Sequence, residues 1–269
     1  MVKKLYKHEF LAWLRVLPVI FGILLAVAGL HRIIQCFEND TVSYGIISGS
    51  ASFMYAVMLM VCIASPVVFG IQRFHKNLFT GEGYLTLTLP VTPGNHLWVK
   101  SLTALAFSLI SLVVCLLSVV IITAGEVLTE ICKAGVYLYQ RIPQQIVKHL
   151  PGYMAEGVFL VLVSFFASYL LFYTCICIGQ LFRKNRVLAA VGVYFAYYVI
   201  NQMVGTAMGV GMVLLEEAGK MERIYRFIAD NPYRTIHIGL CGGIVLDGLL
   251  ALAFFLICHH ILKKKLNLE

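Results

Sequence analysis

Six stretches of this chain, 16–34, 46–71, 102–125, 157–182, 187–215 and 238–262, are nearly free of charged side chains. Each is long enough to cross a hydrocarbon core about 30 Å thick as a helix, which pairs every backbone N–H and C=O within itself. Composition agrees: 60% of the 269 residues are hydrophobic and 13% are charged, whereas about a quarter of the residues in soluble domains are charged. A water-soluble fold is excluded, and too few residues remain for a large domain outside the membrane. The expectation is an all-α integral membrane protein, one transmembrane domain over 1–269 with six transmembrane helices. The only clear charges inside the stretches are Arg32, near enough to an end to snorkel, and Asp247.

The formal charge of +8 would point to nucleic acid in a soluble protein. In a membrane protein it reports the bias of Lys and Arg toward cytoplasmic loops, so no nucleic-acid partner is expected. With the N-terminus inside, 13 of the 21 Lys and Arg residues fall on the cytoplasmic side, which carries +10 against −1 outside. An even number of spans then puts both termini in the cytoplasm. The first stretch also has the shape of a signal peptide, with Ala26-Val27-Ala28 as a cleavage site, but a chain otherwise built of spans favours a retained helix. Of the eight cysteines, Cys62, Cys115, Cys175, Cys177 and Cys258 lie within spans and read as small hydrophobes. Cys36, Cys132 and Cys241 lie near the outer surface, where a disulfide stays open.

The segment 3–15 is amphipathic at helical spacing. Tyr6, Phe10, Trp13 and Leu14 lie on one side, and Lys4, Lys7, His8 and Arg15 largely on the other. It is expected to lie along the membrane interface, as an anchor or as an elbow. The connection 73–100, RFHKNLFTGEGYLTLTLPVTPGNHLWVK, is too long to be a turn. Thr92-Pro93 has the N-cap and first-turn pattern that opens a helix. Leu and Thr alternate over 84–89 with period two, yet an isolated strand would leave its edge unpaired, which favours a docked partner or a short irregular piece.

In order, Phe74, Asn77-Leu78-Phe79, Gly81-Glu82-Gly83-Tyr84-Leu85, Thr88-Leu89-Pro90-Val91 and Lys100 stand between spans two and three. This loop resembles the cytoplasmic loop of type-2 ABC exporter permeases, particularly the small bacterial kind. The six spans, the N-terminal helix and the longer outer segment before span six follow that family's order over the whole chain. The resemblance implies a coupling helix over about 76–84 that sits in a groove of a cytoplasmic ATPase, with Lys76, Asn77, Leu78, Phe79, Glu82, Gly83 and Tyr84 as its contacts. Gly81 stands where the family often has an acid or polar residue. The resemblance also implies a bacterial plasma membrane, cytoplasmic ABC ATPase subunits as partners, and a second permease copy or a paralogous permease meeting spans one and five.

The residues themselves support a division of labour. No Gly-x-x-x-x-Gly-Lys-Ser/Thr phosphate loop is present, and the lone Gly219-Lys220 has Leu214 where the first glycine belongs. The chain is therefore expected to be no enzyme and to hold no cofactor, with ATP and Mg bound by the partner ATPase. Arg73, Phe74, Lys76, Phe79 and Tyr84, with Glu82 among them, form a basic, aromatic surface suited to gripping such a partner. The outer segments 126–154 and 216–236, broken by Pro143, Pro151 and Pro232, read as amphipathic pieces at the outer interface. The second occupies the place of the family's re-entrant hairpin before the last span.

Depth counting at 1.5 Å per residue puts Asp247 roughly 22 Å from position 262. Asn201, Gln202, Ser168 and Tyr55 fall at similar depths, so the five define a polar layer, either lining a substrate path or gluing helices together. Gly205-x-x-x-Gly209, with Gly211, and the small residues Ser48, Ser50, Ser52 and Ala56 permit close helix packing, and Ser65-Pro66 marks a kink. His259-His260 suits snorkelling better than metal binding. Two other function classes compete. Glu216-Glu217 is similar to the paired acids of membrane-embedded CAAX-type proteases, but Met221 stands where their arginine belongs. A non-transporting scaffold or channel is the other, and no span carries a carbonyl-filter signature.

Overall fold

The computed structural model describes residues 2–37, 41–80, 92–141, 144–182 and 184–264, and among these the only regular structure is helix. Six helices are long and apolar enough to cross a membrane, which makes this a membrane protein with six candidate transmembrane helices. The chain divides into two compact units, Met1–Arg141 and Ile142–Glu269.

The first unit contains α1 (Val2–Leu14), α2 (Leu17–Cys36), α3 (Val42–Phe79), α4 (Pro93–Ile122) and α5 (Glu126–Arg141). The long helices α2, α3 and α4 pack against one another pairwise, and α1 lies against α4 and the start of α2. Trp13 locks α1 in place: its ring meets Phe69 of α3 edge-on at 5.0 Å and stacks on Phe107 of α4 at 5.2 Å. Leu17, Leu24, Cys62, Phe74, Leu78, Leu97 and Ala104 are fully buried in the same unit. Leu14, expected on the same side as Trp13, is exposed instead.

Hydroxyls tie these helices together. Tyr55 pairs with Ser118 at 3.0 Å, and His31 pairs with Ser52 at 2.8 Å. Pro66 lies inside α3 and has no N–H, which deprives the Cys62 carbonyl of its helical donor. Two hydroxyls replace it, Ser65 Oγ from the same helix at 3.0 Å and Ser111 Oγ from α4 at 2.7 Å. At the far end of α4, Arg32 reaches the Ile122 carbonyl at 3.5 Å, which satisfies a C-terminal orphan and suits the helix dipole. The helix stops there because Ala124 (φ 48°) and Gly125 (φ 84°) turn the chain. Helix α5 then buries none of its residues and carries Glu126 in its first turn and Arg141 in its last.

The second unit contains α6 (Gln144–Val147), α7 (Leu150–Gly179), α8 (Arg186–Glu217), α9 (Met221–Asp230) and α10 (Pro232–Lys264). Pro151 and Pro232 sit in the first turns of α7 and α10, where a missing N–H costs nothing, so they start these helices rather than break them. Contacts between α7 and α10 keep a nearly constant sequence separation. Tyr153 OH donates to the Tyr233 carbonyl at 2.9 Å, Thr174 Oγ1 donates to the Phe254 carbonyl at 3.0 Å, and the Cys177 and Cys258 sulfurs touch at 2.9 Å, all 80 or 81 residues apart. A constant difference means that the two helices run parallel and in register.

The α7–α8 connection is an antiparallel hairpin. A Cβ on Gly179 would meet both Ala190 Cβ and the Arg186 carbonyl oxygen at 2.7 Å, so only glycine allows this approach. Asn185 in the left-handed region (φ 56°) completes the turn, and Phe172 stacks on Tyr194 at 5.6 Å. Beyond that, α8 buries none of its residues. Helix α9 is short and amphipathic, and Gly219 (φ 68°) turns the chain between it and α8.

The double satisfaction of the Cys62 carbonyl generates a stability test. Ser111→Ala should cost about 1 kcal/mol, the net worth of a typical buried hydrogen bond. In a Pro66→Ala background, where the helical N–H returns, the same change should cost clearly less. Thermal unfolding in detergent of the four proteins of this cycle measures the difference.

Candidate functional site

The densest charge in the first unit lies where α1 meets the two stems of the connection between α3 and α4. Glu9 of α1 is only 4% exposed, and a carboxylate so buried requires cations. It receives two. Arg73 of α3 donates through Nε to Oε2, and Lys100 of α4, itself 5% exposed, donates through Nζ to Oε1. Asn77, one turn beyond Arg73, adds a longer contact from Nδ2 to Oε1 at 3.4 Å. Three helices are thereby joined at one carboxylate.

The local sequence explains the arrangement. Glu9 lies three residues after Tyr6 and four before Trp13, so helical periodicity turns it toward the packed side of α1. Trp13 then fixes the helix against Phe69 and Phe107, which sets Glu9 between Arg73 and Lys100. On the other stem, Thr92 is extended (φ −66°, ψ 145°), Pro93 opens the first turn, and the Thr92 carbonyl accepts from Asn95 N at 3.0 Å. This start, as the Thr92-Pro93 pattern anticipates, leaves Lys100 two turns into α4. Burial pushes the Glu9 carboxyl up, and Lys100 and Arg73 more than reverse it, holding the group below the usual carboxylate range. Glu9 precedes the charge-poor stretch that begins at residue 16.

The residues singled out from the sequence separate into distinct places. Lys76, Asn77, Leu78 and Phe79 form the last turn of α3, continuous with span two. Lys76 is exposed, Asn77 turns inward to Glu9, Leu78 is fully buried, and Phe79 is half-buried with its ring 5.9 Å from that of Phe74. Glu82, Gly83 and Tyr84 lie outside the described residues. A cleft of about 310 Å³ runs along this end of α3, lined by Phe69, Gln72, Arg73, Lys76 and Asn77.

The residues of the polar layer fall in both units. Tyr55 belongs to the first unit and pairs with Ser118. In the second unit Asp247 accepts from Ser164, while Ser168, one turn on, is exposed and returns its hydroxyl to the Ser164 carbonyl at 2.8 Å. Asn201 and Gln202 sit on the exposed surface of α8, and Gly205 and Gly209 have nothing within 4 Å of an added Cβ. Glu9 is the residue that sequence reasoning missed as a site. The available signal was an acid at aromatic spacing on the apolar side of an interfacial helix, which demands a cation from elsewhere in the fold.

Compared with protein-family models, with curated proteins and with solved structures, the chain matches none.

The charge node makes a direct prediction. Glu9→Gln leaves two cations without their counter-ion and should cost about 3–5 kcal/mol, as for other broken buried pairs. Adding Lys100→Gln to it should cost less than the sum of the two single changes. The pH dependence has one sign. The folded carboxyl titrates below its unfolded value, so its contribution is complete above the ordinary carboxylate range and drains away as pH falls through the lower folded value. Thermal melts against pH should show this acid loss in the unsubstituted chain and not in Glu9→Gln.

Proposed function

We propose that this chain is the permease subunit of an ATP-driven exporter of the type-2 ABC kind, in a bacterial plasma membrane with both termini in the cytoplasm. ATP and Mg belong to separate ABC ATPase subunits, and a second copy or a related permease completes the pathway. The cargo path would be built from the spans, and the connection 73–100 would take up the ATPase stroke.

The observation that carries this reading is the Glu9 node. The segment 81–91 is tethered on one side by α3, where Arg73 and Asn77 grip Glu9, and on the other by α4, where Lys100 grips the same carboxylate. A push on that segment enters α1, α3 and α4 together instead of deforming one stem. Interfaces held by a few buried charges are suited to discrete rearrangement, because the contacts are either made or lost. The exposed Lys76 and the cleft beside it offer the partner a polar seat next to the node. Glu82, Gly83 and Tyr84 would supply the remainder of the contact.

Affinity purification of the tagged chain from its native membranes tests the reading. A nucleotide-binding ATPase should co-purify, and reversing the charge at Glu82 together with Lys76 should release it while the permease stays folded. Recovery of the intact chain with no nucleotide-binding partner would overturn the proposal. Glu9→Gln is expected to keep the partner bound and to uncouple ATP hydrolysis from any cargo-dependent stimulation.

A further inference from the structure

The N-terminal ends of α7 and α10 bring together three side chains that neither the fold nor the proposed function uses. Glu156 lies on α7, and His237 and Cys241 lie one helical turn apart on α10. His237 Nδ1 is 2.7 Å from Glu156 Oε1, and the Cys241 sulfur is 3.9 Å from either imidazole nitrogen. All three donor atoms lie within 4.8 Å of one another. The Glu156–His237 pair alone does not account for the cluster. Glu156 Oε2 is buried without a hydrogen-bond partner among the described residues, so its second oxygen is unspent.

The geometry points to a zinc site that joins α7 to α10, with Glu156, His237 and Cys241 as ligands and a fourth position open to water. The donor set is one that zinc takes, and donors around a tetrahedral zinc are separated by roughly 3.3–3.6 Å for bond lengths of about 2.0–2.3 Å. The observed separations of 2.7 Å and 3.9 Å lie on either side of that range. Charge also balances, since a carboxylate and a thiolate neutralise a divalent ion beside apolar helices, where net charge is costly. The parallel register that pairs Tyr153 with Tyr233 carries Glu156 to His237 and Cys241, so the backbone holds the ligands before any ion arrives. Thiolate and imidazole favour zinc over magnesium or calcium, which take oxygen ligands.

Binding releases the Cys241 proton to solvent, requires the imidazole proton of His237 to leave Nδ1 for Nε2 so that Nδ1 can bind, and changes no oxidation state. Filling the site would clasp the two helix ends and hold that end of the α7–α10 pair closed. This inference stands apart from the exporter reading, because it concerns only residues of the second unit and its test needs no ATPase.

The test uses the full chain, reduced and in detergent, with cobalt(II) and then zinc(II) alone as probes. The unsubstituted chain should bind one cobalt with a near-ultraviolet thiolate charge-transfer band that zinc abolishes. Cys241→Ser should lose that band, and His237→Ala and Glu156→Gln should weaken zinc binding roughly 10-fold or more. A band that survives Cys241→Ser overturns the site. A second measurement leaves the ligands intact: in a chain with the exposed Cys36 and Cys132 changed to Ser, micromolar zinc should shield Cys241 from maleimide. Shielding supports the site, and unchanged labelling overturns it.

Discussion

Hydrocarbon gives a polypeptide no hydrogen-bond partner, and nearly every contact in this structure answers to that constraint. It forces the six long segments into helices, and it also explains where polar side chains are spent. Pro66 frees one carbonyl in α3, and two serines close on it. The end of α4 exposes others, and Arg32 reaches back to Ile122. Serines elsewhere in α3 fold onto their own helix, as Ser50 does to the Ile47 carbonyl at 2.8 Å. The hydroxyl groups in the first unit are thus backbone partners as much as helix glue.

The same constraint, applied to charge instead of backbone, gives the first unit its most consequential contact. A buried carboxylate has to find cations, and Glu9 finds them on the two helices that bracket the long connection. Replacing such a group with well-packed apolar residues is often neutral for stability. What it fixes is geometry, since it makes the position of α1 depend on α3 and α4 together. The second unit is assembled differently. There α7 and α10 share one register along their length, the tight Gly179 turn brings α8 back, and α8 leaves its surface to lipid or to another chain.

Much of this was legible beforehand. Runs without charge located all six long helices, because membrane insertion acts on composition over about 20 residues and needs no tertiary knowledge. Thr92-Pro93 marked the start of α4 for an equally local reason. Depth counting put Ser168 in one layer with Asp247, and the hydroxyl that reaches Asp247 is that of Ser164, one turn earlier on α7. Which of two serines on one helix meets the acid depends on the rotation of α7 against α10, which charge patterning does not record. Likewise Leu78 and Asn77 looked available to a partner, since a linear sequence does not say that one is fully buried and the other engaged by α1.

The sequence by itself determined the class of molecule, the number and positions of its spans, the amphipathic first helix and the basic, aromatic stem of the long connection. All of these follow from one-dimensional properties: hydropathy over a span length, helical period and local turn chemistry. Only the tertiary structure decided which polar groups meet. Glu9 with Arg73 and Lys100, Ser111 with the Cys62 carbonyl, and Glu156 with His237 and Cys241 are separated widely along the chain. Side-chain pairs of that kind are set by the rotation and register of one helix against another, and those are settled by packing volumes such as Trp13 and Gly179, not by composition.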